Sequence, residues 1–109
     1  MKMDEDMQKR VQTLQILEQN FQNILLQKQT FQVELNEAST ALGEVEKSSQ
    51  GIFRVLGQVM LKADKEELKK ELKEKKDVLD LRMKSIEKQE FSLREEIERI
   101  RGEIMSGVE

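Results

Sequence analysis

The sequence predicts a mainly α fold: two long helices that fold back on one another as an antiparallel coiled coil, joined near the middle by a β-hairpin. Three observations predict it. Two apolar stripes, one in each half of the chain, repeat at alternating steps of three and four residues. Between them the period changes, and two short β-prone runs flank Gly57-Gln58. The composition is 38% charged and 37% hydrophobic with no Pro. That is too little apolar content for a compact globule, yet the regular spacing separates the chain from a disordered one. At 109 residues a single domain is expected.

The first helix is expected over about 4–47. Its stripe runs Leu14, Leu17, Phe21, Ile24, Lys28, Phe31, Leu35, Ala38, Leu42 and Val45, and Lys28 is its one charged member. The second is expected over about 64–105, with the stripe Leu72, Lys76, Leu79, Met83, Ile86, Glu90, Leu93, Ile97, Ile100 and Ile104. Asp64 and Glu67 have the spacing of a capping box, in which the Asp accepts from an early backbone N–H and the Glu reaches back. Gly107 is the expected stop.

The hairpin is expected over about 51–62. Ile52-Phe53-Arg54-Val55-Leu56 and Val59-Met60-Leu61-Lys62 enclose a two-residue loop whose first position is Gly, which suits a type II′ turn. The alternative is an apolar helix continuing the coil, against which Gly51 and Gly57 weigh.

An antiparallel fold-back through such a hairpin fixes a register. It sets Leu14 against Ile104, Leu17 against Ile100, Phe21 against Ile97 and Ile24 against Leu93. Its centre falls near residue 59, inside the expected hairpin. The same register places Lys28 opposite Glu90, with Gln27, Gln29 and Gln89 beside them. A pair there would add little net stability but would penalise shifted registers, in which one charge faces a Leu. The alternative is that both side chains snorkel to water.

Two apolar surpluses remain. A lone two-stranded hairpin is marginal in water. Ile52, Phe53, Val55, Leu56, Val59, Met60 and Leu61 would make this one apolar on both faces, with open strand edges. These residues are expected to join hairpins of other subunits in a sheet or barrel. At the other end, the register brings the two termini together. Met3, Met7, Val11, Leu14, Ile16, Ile104, Met105 and Val108 form the candidate tip. Flexible Met with Ile and Val can adapt to varied apolar surfaces, whereas the plainer alternative is frayed helix ends.

Much chemistry is excluded. With no Cys or His there are no disulfides, thiolate metal sites or imidazole bases. Acidic residues outnumber basic ones by 22 to 19 with the signs interspersed, so no basic field for nucleic acid exists. No apolar run reaches membrane-spanning length, and no secretory signal is read at the N-terminus, so the expectation is a cytoplasmic protein without a membrane partner. The many Glu and Lys residues at i,i+4 spacing belong to helix surfaces. No Gly-rich phosphate loop is present, and neither a cofactor nor an enzymatic activity is expected.

The chain resembles the prefoldin family, specifically its β-type, single-hairpin subunits. The residues that carry the resemblance are Gln27-Lys28-Gln29, Leu35-Asn36-Glu37-Ala38 with Ala41-Leu42, and the hairpin from Phe53 to Lys62. Leu72-Lys73-Glu74-Lys75, Leu79, Leu81-Arg82 and Lys88-Gln89-Glu90 continue it. Phe53 stands where the family often has Tyr, and the linker 47–51 lacks the acidic residues common there. The resemblance implies a hetero-hexamer of two α-type and four β-type subunits whose hairpins form a β-barrel. It further implies an ATP-independent holdase that captures unfolded client proteins at the coil tips and passes them to a group II chaperonin. A structural coiled-coil adaptor without general chaperone activity is the competing reading. Such a spacer would need only a tight polar loop where this chain has its apolar hairpin.

Overall fold

In the computed structural model, which describes residues 4–108, the order of elements is α1 (Glu5–Lys47), β1 (Ile52–Leu56), β2 (Val59–Ala63) and α2 (Lys65–Val108). The side chain of Val108 lies outside the described residues, as does all of Met3. Close packing divides the chain into two units. One joins residues up to 29 with those from 84 onward, and the other spans residues 30–83. Each helix contributes to both.

Both helices start on an Asp cap. Asp4 Oδ1 accepts from the Met7 N–H at 2.7 Å, and Asp64 Oδ1 accepts from the Glu66 N–H at 3.2 Å. These bonds satisfy backbone donors that have no partner within the helix. Acidic side chains in the first turns, Glu5 and Asp6 in α1 and Glu66 and Glu67 in α2, suit the positive ends of the helix dipoles. The capping box is only half realised, because Glu67 makes no return bond among the described residues.

In the unit spanning residues 30–83, α1 ends where the chain turns toward the hairpin. The Ser48 N–H is shared between the carbonyls of Glu44 and Val45. Lys65, the first residue of α2, donates from Nζ to the Ser48 carbonyl at 2.9 Å and to the Glu46 carbonyl at 3.4 Å. A cation on the last carbonyls of a helix is favoured by the dipole and closes the linker at the same time. Ala38, Val45, Leu79 and Met83 are the buried hydrophobic residues of this unit among the described residues. All four are members of the predicted stripes.

β1 and β2 pair antiparallel, with Leu56 against Val59, Val55 against Met60, Arg54 against Leu61, Phe53 against Lys62 and Ile52 against Ala63. The ladder therefore reaches one residue beyond the expected end, and Gly51 stands outside it. Gly57 has φ of 62°, whereas Gln58 keeps a negative φ. That is the signature of a type II′ turn rather than I′. Any L-residue at Gly57 would be strained, because a β-carbon disfavours positive φ at this turn position.

In the other unit the helices run antiparallel around a cluster of Leu17, Ile97 and Ile100, flanked by Leu14, Phe21, Leu93 and Ile104. Every one of these is a predicted seam residue. Arg94 lies over the Phe21 ring, 5.8 Å from its centroid, a distance at which the ring face attracts the guanidinium. Cross-helix ion pairs join Arg101 to Glu18 at 3.1 Å and Arg10 to Glu103 at 3.5 Å. They are exposed and contribute little, but they agree with the register.

Two expectations for this unit need correction. α2 does not stop at Gly107 but continues to Val108. A β-carbon at Gly107 would meet the terminal methyl of Met7, the flexible end of a side chain that packs closely over this position. Met7, counted among the loose tip residues, is correspondingly only 6% exposed and belongs to the core.

Candidate functional site

Three places bear on function: the hairpin, the Lys28 layer and the end that holds both termini. In the hairpin, paired residues share a face. One face carries Phe53, Val55, Met60 and Lys62, all exposed. The other carries Ile52, Arg54, Leu56, Val59, Leu61 and Ala63; Ile52, Arg54 and Ala63 are half-buried and the remaining three exposed. Met60, at 66% exposure, is the most open of the large hydrophobic residues of the hairpin. A two-stranded ribbon with Leu, Val, Met and Phe open on both faces has the composition of a sheet interior, not of a solvated surface. Arg54 binds the Glu71 carboxylate and so ties β1 to the first turns of α2. Sequence reasoning missed this pair because a charge within an apolar strand gives no sign of its partner.

In the Lys28 layer, Lys28 Nζ donates to both carboxylate oxygens of Glu90, at 3.1 and 3.2 Å. Glu90 is 8% exposed and is the one buried charged residue among the described residues. Arg94 stands 3.8 Å from the same carboxylate. The two seam charges thus meet instead of turning out to water. No described buried side-chain nitrogen or oxygen lacks a hydrogen-bond partner, so the layer satisfies the condition under which a buried charge is tolerated. A double-mutant cycle on Lys28→Ala and Glu90→Ala, read by thermal or denaturant unfolding, is expected to show coupling of about 0.5–3 kcal/mol. Additive effects would deny the pair an energetic role.

The candidate tip residues separate into two groups. Ile16 and Met105 are open, at 63% and 70% exposure. Val11 is half-buried, and Leu14 and Ile104 pack on the core cluster. Met7 is buried against Gly107. Spacing had signalled as much for Met7, which lies seven residues before Leu14 on the same stripe.

No group of His, Cys, Asp and Glu that could hold a metal ion occurs among the described residues. No described helix is long and apolar enough to cross a membrane. The hairpin leaves apolar side chains open on both of its faces. Two helices on a single open, apolar hairpin define a class of assembling coiled-coil subunits.

The comparisons place the chain within that class. The family model for prefoldin subunits matches residues 8–108. The prefoldin subunit beta of Pyrobaculum neutrophilum is 40% identical over 85 residues, covering 76% of this chain and 68% of that protein. That of Thermococcus onnurineus is 37% identical over 93 residues, covering 84% and 80%. The crystal structure of the prefoldin beta subunit from Thermococcus strain KS-1 superposes with a TM-score of 0.88 at 30% identity, over 97% of this chain and 95% of that one. The chain belongs to the prefoldin family and is of its β type. It is a chaperone subunit that takes its place in a prefoldin complex with other subunits.

Proposed function

We propose that this chain is the β-type subunit of an ATP-independent holdase, a cytoplasmic hetero-hexamer of two α-type and four β-type subunits. Its hairpin joins the others in a β-barrel, its coiled coil projects from that platform, and the coil end binds non-native protein for transfer to a group II chaperonin. The observation that carries this reading is the hairpin, apolar and open on both faces. Such a ribbon gains stability only by burial against further strands. Exposed Ile16 and Met105 support the assignment of the end that holds both termini to client. No step in this scheme consumes nucleotide or uses a metal.

The test is suppression of aggregation. The chain, co-expressed with an α-type partner and purified as the complex, is expected to keep guanidine-denatured citrate synthase soluble on dilution without ATP. An assembled complex that gives no protection would leave the adaptor reading in its place.

A further inference from the structure

We propose that the exposed face of α1 from Gln12 to Gln29 is a docking surface for extended, non-native polypeptide, reaching well beyond the coil end. The proposal rests on the chaperone reading above and assigns its client surface to one helix.

Every exposed residue of α1 between Gln12 and Gln29 is uncharged. The stretch contains two charged residues, each with a partly exposed side chain and each paired with α2: Glu18 with Arg101 at 3.1 Å and Lys28 with Glu90 at 3.1 Å. What remains open is mostly amide, as at Gln12, Gln15, Gln19 and Gln22, with Ile16 and Leu26 each 63% exposed among them. On α2 of the same unit the open surface is charged as well as apolar, with Glu95, Glu96, Glu98 and Arg99 exposed alongside Phe91 and Met105.

Helix formation does not explain this asymmetry. Glu and Lys have about the same helix propensity as Gln, and at i,i+4 they would add ion-pair support and solubility. The amides matter when something docks. A charge must shed its water against a partner, whereas an amide both donates and accepts and can replace its water bonds with backbone bonds. Ile16 and Leu26 supply apolar contact between them.

The partner that fits is a polypeptide whose backbone and apolar side chains are exposed. The face offers no unpaired cation to a phosphate or an acidic peptide, and no unpaired anion to a basic one. Its eighteen residues span about 27 Å, the length of about eight residues of extended chain. Because every client has the same backbone, amide contacts would confer breadth and not selectivity.

The test uses the assembled complex and guanidine-denatured citrate synthase. Gln15→Lys with Gln22→Lys places two charges on the face without loss of helix propensity. It is expected to raise the amount of complex needed for half-maximal protection by about three- to tenfold, with helicity and complex mass unchanged. Ser85→Lys with Glu95→Gln makes the same change in net charge on α2 and is expected to match the parent. Full protection by the α1 variant, or an equal loss in the α2 control, would overturn the proposal. So would a fall in the mass of the α1 variant complex, since the face would then join subunits. If the parent complex itself gives no protection, the holdase reading fails and this surface assignment falls with it.

Discussion

Replacing Val55 and Val59 together with Asp is expected to break the complex into free subunits while leaving the helices formed. The two residues pair with Met60 and Leu56 respectively and so lie on opposite faces of the ribbon. Both side chains are exposed in the single chain, which therefore loses no packing when they change. In an assembled sheet each would be a carboxylate without a partner in an apolar layer. Two such groups cost several kcal/mol, enough to weaken association by about a hundredfold or more. Light scattering gives the mass and far-UV circular dichroism gives the helix content. An unchanged mass would refute the assembly role of the hairpin.

The second large effect is expected at the other end of the chain. Removing residues 1–10 and 103–109 should reduce client capture at least tenfold while the complex keeps its mass. This truncation also removes Met7 from the core and the Arg10–Glu103 pair. Its local effects therefore mix packing with binding. Met105→Asp separates the two, because Met105 is 70% exposed and its replacement disturbs little packing. The point variant is expected to lower protection with thermal stability unchanged. If both variants protect the client as well as the parent does, capture does not occur at this end.

Much of the fold was legible because helical periodicity is a property of the sequence itself. The two stripes, the break at Lys47–Gly51 and the Gly57-Gln58 loop placed every element to within a few residues. Antiparallel pairing then put Lys28 opposite Glu90. Arg54 was another matter. Its partner, Glu71, lies in a different element, and no period links the two. The uncharged α1 face was equally hidden. Gln, Asn and Thr are simply polar in a periodicity argument, and Glu18 and Lys28 interrupt the stretch on paper. Only their pairing with α2 shows that the open surface carries no unpaired charge.

The sequence by itself determined the helices, the hairpin, its II′ turn and the register of the seam. Each follows from short-range preference or from a repeat that a fold-back must match. Tertiary structure alone decided which apolar residues remain open. Spacing puts Met7 on the seam stripe, but only packing shows that it is buried against Gly107 while Met105 faces water. It also decided that α2 continues through Gly107, because a residue without a β-carbon both ends helices and admits close neighbours. Exposure and partner choice depend on what stands across the gap, and that information belongs to the packed helices, not to either one alone.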